Sequence, residues 1–482
     1  MERDSSYYDV YQSPLVERYA TREMSEVFSA NTKFRTWRKL WIALAESEQE
    51  LGVPITDEQI ASLRRFQDEV NHERAQEIER ETRHDVMAHI RAYGEQCPDA
   101  RAIIHLGATS AFVGDNADLV ILRDAMQIIL RKLVNLISAL GTFAETHRDL
   151  VTLSFTHYQA AQLSTVGKRA CLWAYDLALD LEDLEFRLDT LRFRGAKGTT
   201  GTQESYMKLF NGDEDKVKKL DALISRKLGF ASSFAVTGQT YPRKVDSQVL
   251  DVMSGIAQSA YKFSNDLRLL HNLKEMEEPF GSKQVGSSAM AYKRNPRRCE
   301  LIAALSRHVI VNSLNPALTV TGQWFERTLD DSANRRLSLP EGFLAVDGLL
   351  NVFLNVASGM EVYPTVIRRH VMDELPFMVT EELLMEGVKA GGDRQEMHEL
   401  IRHHSVEAAR AVKEEGRAND LLTRLADEPG FAAIKERLDQ LTDPARFCGR
   451  APHQVDEFLS GVVGPIRKKY AGQLGMDAAV NV

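Results

Sequence analysis

Residues 116–147 read NADLVILRDAMQIILRKLVNLISALGTFAETH, with one glycine, Gly141, and no proline. Leu119, Val120, Ile121, Leu122, Ile128, Ile129, Leu130, Leu133, Val134, Leu136 and Ile137 cannot share one narrow stripe of a helical wheel. A helix that is apolar nearly all round must be buried nearly all round. The stretch therefore predicts a long helix deep inside a bundle. Similar runs follow it. Gly167 to Gly195 encloses 27 residues without glycine or proline, room for a helix of about 40 Å at a 1.5 Å rise per residue. Val245 to Met276, Arg298 to Gln323 (with Pro316 inside) and Glu341 to Met360 complete a set of five. Five helices alone would leave their outer faces wet. The pattern favours packing against copies of the same chain over a large monomeric bundle shielded by its two end regions.

The flanks read differently. Phe34, Trp37, Leu40, Trp41, Leu44 and Ala45 recur at helical spacing between Lys33 and Leu51, and Gly52 ends that helix. Pro54-Ile55-Thr56-Asp57-Glu58-Gln59 carries the polar cap and early acids of a new helix start. After Tyr363-Pro364 the chain returns to shorter helices, broken at Gly391-Gly392, Gly416, Pro429-Gly430 and Pro444. No strand-type alternation persists, and no internal repeat or low-complexity segment is present. The expectation is an all-α chain in three parts: an N-terminal helical domain over 1–110, a central long-helix bundle over 111–363 and a C-terminal helical domain over 364–482.

Composition agrees. The chain has 482 residues, with 29 glycines and 14 prolines, about 9 % together against a typical ~12 %. Few chain breakers favour long helices. The net charge of −9 argues against a nucleic-acid or anionic-membrane binder. Cys97, Cys171, Cys299 and Cys448 form no C-x-x-C pair, so reduced thiols in a cytoplasmic protein are the default. The start, MERDSSYYDVYQ, lacks the apolar core of a signal peptide, and no run of about 18 uninterrupted apolar residues predicts a membrane span.

Chemistry is expected in the polar loops between helices. The densest is Lys274 to Arg298, KEMEEPFGSKQVGSSAMAYKRNPRR, with a positive cluster of Lys293, Arg294, Arg297 and Arg298. From composition alone it reads as a solvated connector. Its functional alternative is a mobile loop offering Ser287, Ser288, Lys293 and Asn295 to an anion. Arg327 to Arg336, RTLDDSANRR, offers forked donors from Arg327, Arg335 and Arg336, with Ser332, to a phosphate or carboxylate. Gly195-Ala-Lys-Gly-Thr-Thr-Gly201-Thr-Gln follows a helix rather than a strand, so it fails the context of a phosphate loop. His84 and His89 lie about 140° apart on a helix and cannot chelate from one face. His398, His403 and His404 read as solvent-facing. His105 and His157 have about the pKa for proton exchange near neutrality, although a lone histidine in an apolar stretch is more often structural. No metal-ligand set emerges.

Taken together, these segments resemble the fumarase/aspartase superfamily of elimination enzymes. Its signature is Gly-Ser-Ser-x-Met-Pro-x-Lys-x-Asn-Pro. Here it reads Gly286-Ser287-Ser288-Ala289-Met290-Ala291-Tyr292-Lys293-Arg294-Asn295-Pro296. Within the superfamily the chain is similar to the adenylosuccinate lyases in their animal-type form. SPLVERYA, KFRTWRKLW, RHDVMAH, IIHLGATS, KGTTGTQ, TGQTYPRKVD, NLKEMEEPF, QWFERTLDDSANRR and ELPFMVTE carry that likeness from residue 13 to about 380.

The resemblance implies a three-domain fumarase/aspartase-like fold whose central bundle is the core of a homotetramer. It implies β-elimination of fumarate from adenylosuccinate, giving AMP, and from SAICAR, giving AICAR, with no cofactor and no metal. Such chemistry needs a base for a proton beside a carboxylate, donors for the resulting dianion, an acid for the departing nitrogen and an anchor for the phosphate. By resemblance Ser287 is the base and His157 the general acid. Lys293 and Asn295 bind the carboxylate whose charge grows. Thr109 and Ser110 match the carboxylate-binding turn. His84, between Arg83 and Asp85, matches a second active-site histidine, with all three at the substrate. Gln239 matches a substrate contact. Arg18, Tyr19, Arg327, Ser332 and Arg336 match the positions that hold the nucleotide end. Each active site of the family is built from three subunits.

Two positions depart from the pattern. Ala291 replaces the signature proline and adds backbone freedom to the loop. Leu301 stands where relatives of this type often carry Arg. Rival readings are an argininosuccinate lyase-like or fumarase-like enzyme, which would not need Arg327, Ser332 and Arg336, and a non-catalytic crystallin-like tetramer, against which the presence of His157, Ser287 and Lys293 argues.

Overall fold

The computed structural model describes residues 5–281 and 284–477. Ser282 and Lys283 of the signature loop, and residues 1–4 of the quoted start, lie outside them. Near the start, α1 (Ala30–Glu50) buries Trp37, Leu40, Trp41 and Leu44. Gly52 follows at φ +94°, the left-handed turn its sequence position asks for. Thr56 and Gln59 close a reciprocal capping box at the head of α2 (Asp57–Arg65). Helix α3 (Asp85–Gln96) is capped by His84, whose Nδ1 accepts the Met87 N–H at 3.3 Å.

The bundle is built from α4 (Ser110–Thr146), α5 (Val166–Thr190), α6 (Lys244–Asn272), α7 (Arg297–Asn312), α8 (Leu314–Thr321) and α9 (Asp331–Gly359). Helix α4 runs for 37 residues and buries residues on every side, as its sequence demands. It and α9 are long and apolar enough to cross a membrane, yet their most apolar windows are 72 % and 78 % buried within the protein, the mark of core helices. The expected single helix over Arg298 to Gln323 is two. The break falls at Ser313, where Pro316 has no N–H to give the carbonyl four residues back, that of Asn312, and its ring crowds it. Helix α9 starts ten residues earlier than its apolar run, because Asp331 to Arg336 are polar apart from Ala333.

The helices alternate in direction, and side-chain ties mark both ends. At one end, here the upper, Asn116 exchanges hydrogen bonds with Gly195 at 3.1 and 3.2 Å. Arg243 joins Asp115 of α4 to Asp331 of α9. At the lower end Gly167 donates to the His147 carbonyl at 2.9 Å, where a Cβ would overlap the Ala144 carbonyl. Trp173 of α5 donates to Asp266 of α6 at 2.8 Å. Helix α6, 29 residues long, therefore separates the two ends by about 40 Å.

The expectation of no strands fails locally. β1 (Val151–Thr156) and β2 (Gln159–Thr165) form an antiparallel hairpin at the lower end. Val151-Thr-Leu-Ser-Phe-Thr156 does alternate, but over six residues only, and Gln159–Thr165 does not alternate, so the pair gives little period-two signal; a register irregularity falls at Ser154/Phe155. The C-terminal part begins with α10 (Pro364–Met378), packed on this hairpin, and continues through α11 (Arg394–Glu415).

At mid-height Lys132 of α4 and Asp347 of α9 form an ion pair with both side chains fully buried. The Thr21 backbone N–H also donates to Asp347, at 2.6 Å. Removing one partner of such a pair strands a charge in the core. Asp347→Ala is expected to lower stability by about 3–5 kcal/mol, read from the midpoint of urea unfolding.

Candidate functional site

The signature loop hangs at the lower end, between α6 and α7. Gly286 is obligatory at its neck, because a Cβ there would lie 2.1 Å from the Lys293 carbonyl oxygen. Asn295 closes the same neck, its Nδ2 donating to the Gly286 carbonyl at 2.8 Å. His271 meets the Arg294 carbonyl at 2.8 Å, and the Arg294 guanidinium sits within 3.3 Å of Glu277 and Glu361. The positive cluster read from sequence is thus partly neutralised, while Lys293 remains exposed. The Ser287 Oγ accepts the N–H groups of Ala289 at 3.3 Å and Met290 at 3.1 Å. Amide donors favour negative charge on that oxygen. A cavity of about 1070 Å³ opens beside the loop, lined by Arg268, His271, Lys274, Lys293, Glu300 and Tyr363, among others.

His157 lies at the same end, at the tip of the β1–β2 hairpin. Thr156 pairs with Gln159, so His157 and Tyr158 alone make the turn, at φ +51° and +57°. Two successive positive φ values are the mark of a type I′ hairpin, normally Asn-Gly. The geometry leaves the imidazole exposed.

A second group gathers at the upper end. Thr109 and Ser110 start α4, and Thr109 makes no side-chain cap, so the first amides of a 37-residue helix remain open to an anion. His84 Nε2 stands 3.4 Å from Ser110 Oγ. With Nδ1 accepting from Met87, Nε2 carries the proton. Arg83 takes the left-handed backbone, φ +54°, that lets the chain turn from the preceding helix into this cap. Asp85 lies 3.7 Å from Arg336. Ser332 and Arg336, four apart in the first turns of α9, share one face. Gln239 donates its N–H to the Glu326 carbonyl at 2.9 Å and accepts from Arg194 Nε at 2.7 Å, which places it next to Arg327.

Arg18 and Tyr19 join neither group. Their turn, Leu15–Tyr19, lies against the middle of α9, where a Cβ on Gly348 would be 2.9 Å from the Tyr19 carbonyl oxygen. Within one chain, then, Ser287, Lys293, Asn295 and His157 occupy the lower end, and His84, Arg83, Asp85, Thr109, Ser110, Gln239, Arg327, Ser332 and Arg336 the upper.

Arg335 and His404 depart from the sequence reading, while His105 and the Gly195–Gln203 loop follow it. Arg335 is not a free anion donor. One residue from Arg336, it points about 100° away, into the core, where it bonds Asp246 at 2.7 Å and Asp118 at 2.9 Å. It belongs to a buried network with Tyr241, Arg243, Asp115 and Asp331 that sequence reasoning missed. Burial would raise the Asp115 carboxyl, but Arg243, Arg335 and Arg194 outweigh it and hold it below the usual range. The one legible sign was a charge pattern without helical amphipathicity in 241–246 and 331–336. His404 is not solvent-facing, since it bonds Glu428 at 2.7 Å. His403, His404 and Glu407 could approach one metal ion, yet Glu407 already pairs with Arg424 at 2.9 Å. His105 is structural: its Nδ1 accepts from Trp41 at 2.9 Å, and burial pushes its pKa down to about 4. The Gly195–Gln203 loop is a packed connector, with Gly201 too close to the Thr237 carbonyl for any Cβ.

Comparison with known proteins places this arrangement. Residues 8–311 match a family described as Lyase, and residues 376–458 one described as Adenylosuccinate lyase C-terminus. A Saccharomyces cerevisiae adenylosuccinate lyase is 52 % identical over 94 % of both chains. A Schistosoma mansoni adenylosuccinate lyase is 47 % identical over 98 % of this chain and 99 % of its own. The fold is shared with a 3-carboxy-cis,cis-muconate lactonizing enzyme from Pseudomonas putida, at TM-score 0.80 and 23 % identity, covering 95 % of this chain and 99 % of the other. From its end-to-end match with these lyases, the chain belongs to the adenylosuccinate lyase family.

Proposed function

We propose that this protein releases fumarate from adenylosuccinate to leave AMP, and from SAICAR to leave AICAR. It acts in the cytoplasm as a homotetramer whose active sites are shared between subunits, and its chain divides at residues 110 and 363. Ser287 acts as its alkoxide, a form the Ala289 and Met290 amides favour, and becomes the neutral hydroxyl as it takes the proton from the carbon beside a carboxylate. Lys293 and Asn295 take up the charge that builds on that carboxylate. His157 protonates the leaving nitrogen. Thr109, Ser110 and the head of α4 receive a carboxylate, while Arg327, Ser332 and Arg336 at the head of α9 hold the phosphate. His84, its Nδ1 fixed by the Met87 amide, lends an oriented N–H beside Ser110.

The observation that carries this reading is the separation itself. The proton-transfer residues and the anion anchors sit at opposite ends of one bundle, about 40 Å apart. Neither set is a site alone. Leu172, Tyr175, Leu179 and Phe186 on α5, with Val311, Leu314 and Leu318 near the α7–α8 break, are 50–70 % exposed. Copies packed antiparallel along these faces bring one lower end level with another upper end.

The test is fumarate release. The purified protein is expected to liberate fumarate from adenylosuccinate and from SAICAR but not from argininosuccinate. Silence on both succinyl nucleotides would overturn the reading, and turnover of argininosuccinate alone would move it to that relative.

A further inference from the structure

Asp331 opens α9 with its side chain fully buried. Its Oδ2 accepts from Arg243 Nε at 2.6 Å. Its Oδ1 is buried and has no hydrogen bond, yet Arg327 Nη2 stands 3.5 Å away. The rest of the network is closed. Arg243 reaches both Asp115 oxygens at 3.0 and 3.3 Å, Asp115 accepts the Tyr241 N–H at 2.8 Å, and Arg335 is taken by Asp246 and Asp118. Arg327 alone approaches the network without completing its bond, with a quarter of its side chain still open to solvent. Arginine has five donors in a rigid fork, so one edge can serve a buried carboxylate while the other serves a phosphate. A long side chain with free rotamers needs such a tether to present its outer edge reproducibly.

The structure assigns Asp331 as a positioning residue: Oδ1 tethers the inner edge of Arg327, and the Arg243–Asp115 pair behind it keeps that carboxylate from following the guanidinium outward. This rests on the reading above that Arg327 holds the nucleotide phosphate. The network thereby also fixes the register between Arg327 and the Gln239 segment, whose Tyr241 amide is bound to Asp115.

The experiment is a double-mutant cycle on the assembled enzyme with adenylosuccinate. Arg327→Met alone is expected to raise KM at least tenfold. Asp331→Asn is expected to raise KM about tenfold with kcat within about threefold, and to add nothing in the Arg327→Met background. Asp331→Glu keeps the charge for Arg243 but displaces the tether. It is expected to show the same KM rise, and it serves if Asp331→Asn does not fold. An unchanged KM in the Glu variant, or an equal KM increase with and without Arg327, would overturn the tether while leaving the anchoring role of Arg327 intact. An unchanged KM in Arg327→Met would overturn the anchoring role and the tether together.

Discussion

Ser287→Ala is expected to lower kcat on adenylosuccinate by about 10³–10⁴-fold while leaving KM within a few-fold. The Ser287 oxygen is the one that receives two backbone N–H groups. Removing it deletes the proposed base, whose negatively charged, proton-accepting form those amides favour. Ser288→Ala is the internal control, since its neighbour carries the amide contacts, and it should retain most of the wild-type rate. His157→Ala is expected to lose about 10²–10⁴-fold if the proposed proton-transfer role holds, because the exposed imidazole has no packing role whose loss could account for it. Steady-state fumarate release with matched protein concentrations checks all three. Equal losses at Ser287 and Ser288 would reassign the base, and near-normal turnover in the His157 variant would remove the acid.

The second large effect comes from mixing. Ser287→Ala damages only the lower end, and a His84→Ala or Arg336→Ala variant damages only the upper end. Each variant on its own is expected to be nearly inactive. Dissociated and reassembled together, the two should regain about a quarter of wild-type activity, because a site that draws one end from each of two subunits receives two intact ends with probability one half times one half. Ser287→Ala mixed with His157→Ala tests whether those two neighbours at the lower end come from one subunit or from two. No regain in any pairing would mean that sites are not shared between chains.

Much of this was legible in the sequence, for physical reasons. Residues 116–147 had to be a buried helix because their apolar positions cover the whole wheel, and Thr56 with Gln59 had to start one because the box is local chemistry. The loop at 286–296 was readable through its likeness to the superfamily signature, since its composition alone reads as a solvated connector; the close approach that calls for Gly286 shows only in the fold. The hairpin at 151–165 alternates only over Val151 to Thr156, a run too short to stand out beside the long helices. What else was illegible depended on distant partners. Arg335 and Arg336 look alike on paper, and only the direction of α9 sends one to Asp246 and the other to the surface. The division of the candidate site between two ends followed from helix directions that no local pattern encodes.

The tip of the hairpin carries a consequence for engineering. His157 and Tyr158 both occupy left-handed backbone, where Asn-Gly would cost far less. Of the two changes that would relieve this turn, the one at His157 deletes the imidazole and Tyr158→Gly keeps it. With His157 as the proposed acid, stability and turnover compete at that one position, so a search for thermostable variants guided by backbone preference should hold His157 fixed and change Tyr158.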